Sequence, residues 1–331
     1  MTPDFFAPID EARTRAPRLF VIVDTEEEFD WSAPFRRENT QVTAIAEVDR
    51  LQRVLLPHGV KPTYVVDYPV AATPASAEKL GVLARRGECQ IGAHLHPWVT
   101  PPFDEPLVPA NSFGCNLGPR IEAAKIAHLK EAIVRNMNVE PKVYKAGRYG
   151  FGPSTARILE ESGFAVDNSV IPHMDFRADA GPSYLGFTPR PARFGNTRQL
   201  LELPCTTGFI GTLRSAGEPV HRAASASFLK PARAVGLLAK TGILNKVMLS
   251  PEGNTFEEMR ALTRALHADG LRTFAMTLHS PSLKPGCTIY VNSDAERDAF
   301  LSTIDRYCDF FFNELGGTPT TAEDLGGEFV S

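Results

Sequence analysis

Two imidazoles, His94 and His96, are separated by one residue in the segment GAHLHPW. In an extended chain alternate side chains leave the same face, so both rings can turn toward one metal ion. The acidic run Asp24-Thr25-Glu26-Glu27-Glu28 offers carboxylates to complete such a set. Carboxylate and imidazole donors together suit a divalent cation, and a set with one open position lets water ionise near neutral pH. The chemistry would be hydrolysis. Two further polar clusters, Lys145-Ala146-Gly147-Arg148-Tyr149-Gly150 and Leu278-His279-Ser280-Pro281, carry groups for proton transfer and charge stabilisation. Each cluster has a plainer account on its own. An acidic run after a strand is often a solvated turn or a helix start, Arg148 fits a surface loop, and a single histidine is usually structural.

Joint placement changes that balance. Short apolar or β-branched runs predict strands at 19–23, 63–66, leading into 91, 142–146, 164–166, 200–203, 246–249 and 273–278. Helical periodicity predicts helices at 42–56, 75–86, 119–137, 153–161, 255–268 and 295–315. All four polar clusters stand directly after a strand. Alternating β and α elements imply an α/β fold with a parallel sheet, either open and doubly wound or closed toward a barrel. In both, reactive residues gather at the carboxyl edge of the strands. Residues 1–331 read as a single domain, in which the Pro-, Gly- and Arg-rich stretch 177–239 is an irregular insertion facing substrate or a long surface excursion.

Composition narrows the function classes. The net charge of −4 with interspersed signs presents no basic face for nucleic acid. The five cysteines lack any C-x-x-C pair, which argues against a thiolate zinc site or a disulfide framework. No transmembrane run and no leader-like segment are visible, so a cytoplasmic protein is expected.

The motifs VDTEEEFDW, GAHLHPW, KAGRYGFG, VDNSVIP and TLHSPSLKPG together resemble the NodB-homology polysaccharide deacetylases, carbohydrate esterase family four, and within them the WalW-like branch associated with lipopolysaccharide core sugars. The resemblance covers most of the chain. It implies a distorted, incomplete (β/α)7 barrel that uses a divalent metal ion, commonly zinc, to remove an N-acetyl group from an N-acetylated sugar of a cell-envelope glycan or lipopolysaccharide precursor. By position it implies Asp24 as general base, Glu26, His94 and His96 as metal ligands, His279 as the acid for the departing amine, and Arg148 as the group that orients or tunes Asp24. Tyr149 would contribute its amide or ring, and Trp98 and Asp167 would line the sugar pocket. Three features depart from the family pattern: the histidine spacing is shortened, Asp-Thr-Glu replaces a pair of aspartates, and Lys145 rather than an arginine stands near the place of the base's partner, which leaves the role of Arg148 open. Asp24 as ligand with Glu26 or Glu27 as base therefore stays open. So do a metal-free amidase, a non-catalytic carbohydrate-binding protein on the same fold, and a nucleotide-sugar transferase built on the acidic motif.

Overall fold

The computed structural model describes residues 2–12, 15–225 and 234–330. Its strands are Ala7–Pro8 (β1), Arg18–Thr25 (β2), Thr63–Val66 (β3), Gln90–Leu95 (β4), Val143–Ala146 (β5), Val166–Asp167 (β6), Ala192–Phe194 (β7), Leu200–Glu202 (β8), Thr207–Ile210 (β9), Asn245–Met248 (β10), Thr273–His279 (β11) and Thr318–Pro319 (β12). The helices are Val48–Leu55 (α1), Tyr68–Ala72 (α2), Pro74–Arg85 (α3), Pro119–Met137 (α4), Pro153–Glu161 (α5), Gly217–Ala224 (α6), Ala234–Lys240 (α7), Phe256–Ala268 (α8), Asp294–Asp309 (α9) and Ala322–Val330 (α10).

The main sheet runs β1-β7-β8-β6-β5-β4-β3-β2-β11, with β12 paired to the start of β2. From β8 through β11 all neighbours are parallel, while β7 pairs antiparallel with β8 and β1 antiparallel with β7. This is a curled, incomplete (β/α) barrel, as the resemblance implied. Among the described residues it does not close through strand pairing. Instead the outer edge of β11 gives the Ala275 amide to Thr206 Oγ1 at 2.8 Å and the Thr277 amide to the Leu249 carbonyl at 3.1 Å. The β9–β10 hairpin thus covers that edge. Residues 246–249, expected as another strand of the barrel, instead form most of β10, which pairs antiparallel with β9 in a separate two-stranded sheet. Its half-exposed burial pattern is that of a surface hairpin, whereas every residue of β2 is buried.

Burial on both faces explains why β2 reads as a continuous apolar run. Leu19, Val21 and Val23 pack in the layer between sheet and helices, while Phe20 and Ile22 belong to a second cluster with Val65, Val143, Val166, Leu201 and Ala275 inside the barrel. Ala322 and Leu325 of α10 join that inner cluster, and Arg18 at the start of β2 bonds to Glu328, so α10 plugs the amino-terminal end of the strands. The opposite end is left for polar side chains. Continuing the alternation from Phe20 and Ile22 brings Asp24 to the inner face there. Among the described residues no helix is long and apolar enough to cross a membrane.

One ammonium ties the outer layer to the loop after β4. Lys125 of α4, with its side chain 0% exposed, donates to the carbonyls of Pro97 at 2.9 Å, Thr100 at 2.6 Å and Pro102 at 2.6 Å, and pairs with Glu105 at 3.0 Å. Lys125→Met would strand a buried carboxylate and three carbonyls, and is expected to cost about 3–5 kcal/mol of unfolding free energy. Urea denaturation measures this; a loss below about 1 kcal/mol, the scale of an exposed pair, would mean that the loop holds without the lysine.

Candidate functional site

At the carboxyl edge of β2, β4, β5 and β11 lies a cleft of about 370 Å³, with Asp24, Glu26, His94, His96, Lys145, Glu252 and His279 at its polar end. Phe29, Trp31, Phe35, Tyr149, Phe176 and Tyr290 form its aromatic walls. Parallel pairing creates this gathering directly, because Asp24 and His279 are register partners on β2 and β11, as are His94 and Lys145 on β4 and β5.

Glu26, His94 and His96 present donor atoms within 4.8 Å of one another, and all three residues are buried. Glu26 Oε2 lies 3.5 Å from His94 Nε2 and 3.4 Å from His96 Nε2. Tetrahedral coordination with bonds of about 2.0–2.1 Å would set its ligand atoms about 3.3 Å apart, so the arrangement fits a small divalent cation. The far side of each imidazole is occupied. His94 Nδ1 donates to the Lys145 carbonyl at 3.0 Å, and His96 Nδ1 meets Glu27 Oε2 at 2.7 Å. With Nδ1 carrying the proton, each Nε2 turns its lone pair toward Glu26. Burial lowers the His96 pKa more than its carboxylate neighbours raise it, which keeps the ring neutral and ligand-competent.

Behind the imidazoles stands a second tier of acids. Glu27 accepts from Trp98 Nε1 at 2.7 Å, and its own amide donates to Asp67 Oδ2 at 2.7 Å. Burial, with Glu26 adding to it, pushes Glu27 up to about 8; burial and Glu27 push Asp67 well above the usual carboxylate range.

Across the cleft, Lys145 Nζ donates to both oxygens of Asp24 at 2.8 Å. Burial alone would raise the Asp24 pKa, but Lys145, His94 and His279 hold it below the ordinary value, and Asp24 in turn raises that of Lys145. His279 Nε2 is 3.6 Å from Asp24 Oδ2, and Nδ1 is 2.7 Å from Glu252 Oε2. Burial opposes the charged imidazole, yet Glu252, Glu26 and Asp24 outweigh it and raise His279 to about 10. Glu252 is itself held by the His279 amide at 3.0 Å and the Ser282 hydroxyl at 2.5 Å. The site therefore holds an anionic carboxylate and a cationic imidazole side by side at pH 7.

Of the nine residues expected here, Asp24, Glu26, His94, His96, Arg148, Tyr149 and His279 line the cleft, whereas Trp98 and Asp167 do not. Trp98 is buried behind His96, stacked on its ring at 4.3 Å, because its indole N–H is directed to Glu27. Asp167 is register partner to Glu202 and accepts from Ser169 Oγ at 2.6 Å. Its place on β6 directly after the inward Val166 turns it away from the barrel interior. Arg148 lines the cleft but does not hold Asp24: its Nη1 donates to Ser112 Oγ at 2.5 Å, and Lys145 occupies Asp24 instead. Glu252, Glu27 and Asp67 were not expected in these roles. For Lys145 the signal was present, since alternation places it on the inward face with Val143.

No family model matches the chain, and no curated protein matches it. Among solved structures, a putative polysaccharide deacetylase from Mycobacterium smegmatis is similar over 97% of this chain and 93% of its own, with a TM-score of 0.55 at 18% identity. A 4-alpha-glucanotransferase from Thermococcus litoralis is similar over 96% of this chain and 41% of its own, with a TM-score of 0.54 at 11% identity. The chain has the polysaccharide deacetylase type of fold. That this fold is shared with a transferase leaves the reaction to be argued from the site.

Among the described residues, the carboxylate grouped with both imidazole nitrogens is that of Glu26, which would make it, rather than Asp24, the third ligand. Elemental analysis after reconstitution is expected to find about one divalent ion in the wild type and in Asp24→Asn, and none in Glu26→Ala or in the double variant His94→Ala, His96→Ala. Loss of metal from Asp24→Asn alone would reverse the assignment.

Proposed function

We propose that the protein is a metal-dependent carbohydrate N-deacetylase. The observation that carries this reading is the placement of an ionised Asp24 and a cationic His279, 3.6 Å apart, beside the Glu26, His94 and His96 donor set. An amide resists hydrolysis because its carbonyl is a poor electrophile and its nitrogen a poor leaving group. A divalent cation, with zinc suited to one carboxylate and two imidazoles, supplies Lewis-acid polarisation and acidifies water. The chain's own residues supply the proton transfers. Asp24, kept anionic by Lys145, takes a proton from water as the water oxygen bonds to the acyl carbon. His279, kept cationic by Glu252, gives its Nε2 proton to the amide nitrogen as the carbon–nitrogen bond breaks, releasing acetate and the sugar amine. The environment moves the two pKa values apart, which supports Asp24 as base and His279 as acid.

The aromatic walls support a sugar substrate, since Trp31, Tyr149, Phe176 and Tyr290 offer ring faces and edges to the apolar side of a pyranose. A WalW-like affiliation and a lipopolysaccharide-precursor substrate extend the same reading and rest on the Asp-Thr-Glu motif and its neighbours. A cytoplasmic location fits the five cysteines, all of which stand as free thiols.

Acetate release from N-acetylated sugars by the metal-loaded protein tests the reading directly; no release across a panel of free and oligomeric N-acetylhexosamines would sink it. His279→Gln is expected to keep its metal and to lose about 10²–10⁴-fold in kcat. The pH profile gives a further check. Because His279 acts as an acid, activity is present below its pKa and falls as pH rises through about 10. Glu252→Gln removes the neighbour that raises this value and should move the alkaline limb toward neutrality; an unmoved limb would exclude His279 as the acid.

A further inference from the structure

Arg148 reaches the cleft with its charge largely unspent. The guanidinium lies over the Phe113 ring at 4.2 Å and the Phe35 ring at 5.1 Å, and its side chain is 28% exposed. Burial on these apolar faces lowers its pKa, with Asp179 only partly offsetting it. Asp179 Oδ2 is 4.0 Å away on a side chain that is 64% exposed, too far to be a hydrogen bond. Of the five N–H donors a guanidinium carries, the only hydrogen bond among the described residues runs from Nη1 to Ser112 Oγ. A planar donor fork held against two aromatic rings is pre-organised to take an oxyanion through paired hydrogen bonds.

The backbone beneath it is held in an unfavourable conformation. Arg148 and Tyr149 both have left-handed φ, 52° and 59°. Such residues cost of order 1–3 kcal/mol each and persist where the surroundings over-determine them. Here the loop is clamped at both ends. A Cβ on Gly147 would meet His96 Cδ2 at 2.3 Å, and the Gly150 carbonyl accepts from the Cys115 amide at 2.8 Å. The turn thus holds Arg148 rigidly in the cleft wall that also carries Phe35, Phe176 and Asp179.

We propose that Arg148 is a specificity-determining anion receptor, and that the substrate is an N-acylated sugar carrying a carboxylate or phosphate group. The substrate class rests on the deacetylase reading, whereas the anion site does not. Calorimetric titration of the metal-loaded protein with N-acetylglucosamine, its 1- and 6-phosphates, and N-acetylglucosaminuronic acid separates the two. At least one charged probe is expected to bind about tenfold or more tightly than the neutral sugar, the scale of hydrogen bonds to a charged group. Which probe wins distinguishes phosphate from carboxylate. Arg148→Gln should abolish the preference and Arg148→Lys retain part of it, while Asp179→Asn should strengthen it by removing a competing carboxylate. Failure of every charged probe to bind better than the neutral sugar, including no binding at all, would overturn the proposal, as would a preference that survives in Arg148→Gln. Acetate release is scored separately. A charged probe that binds through Arg148 without releasing acetate leaves the receptor standing and counts against the deacetylase reading; release without any charge preference does the reverse.

Discussion

The buried pair between Lys145 and Asp24 is the constraint on which the site depends. Two charges taken from water cost several kcal/mol each unless every donor and acceptor finds a partner, and Lys145 Nζ meets both Asp24 oxygens at 2.8 Å. The pair exists because two non-adjacent strands, β2 and β5, each place an inward residue one step beyond the apolar interior: Asp24 beyond Ile22, and Lys145 beyond Val143. Slipping either strand by one residue would turn its charge into the helical layer and leave the other buried without a partner. Register therefore sets the electrostatics, and the burial of alternate apolar residues on both faces of β2 fixes the register.

Charge balance then links that pair to the metal-ligand set. The Asp24, Glu26 and Glu252 carboxylates face Lys145 and His279 in one cleft, so acids outnumber bases before any cation is counted. A divalent ion held by Glu26, His94 and His96 would reverse that excess. The same carboxylates keep His279 cationic, so an arrangement that would attract a divalent ion also favours a protonated imidazole beside it. Ligand orientation is secured one layer out by the Lys145 carbonyl and by Glu27, whose partners Trp98 and Asp67 lie behind the site rather than in it.

Much of this was legible in the sequence because the signals were local. The run at 19–23 ending in Asp24, the alternate imidazoles, and the strand before His279 each express a period that strand geometry imposes. What stayed hidden depended on tertiary contact. Glu252 lies in a turn after β10, a strand whose hairpin pairing no periodicity announces, so nothing local ties it to His279. The resemblance placed Trp98 in the sugar pocket, yet the bond to Glu27 turns it inward. Asp167 could have been placed correctly, since it adjoins an inward valine. The plug helix α10 was missed because Gly326 and Gly327 weaken a helical pattern, and here the absent side chain has a use: a Cβ on Gly326 would meet Val166 Cγ2 at 2.7 Å.

The shortened histidine spacing has a structural counterpart. β4 runs through Leu95, which leaves His94 in the strand and His96 one step past its end, so that both rings leave the same face. Both rings consequently lie deep, at 2% exposure, under the rim of the barrel. An aspartate two residues beyond Asp24 would fall one methylene short of them. Glu26 supplies that methylene, and its amide is steadied by Ser280 Oγ at 3.3 Å from the segment following His279. The Asp-Thr-Glu and His-Leu-His motifs thus meet in one place: the buried imidazoles at the end of β4 are reached by the carboxylate arm of Glu26.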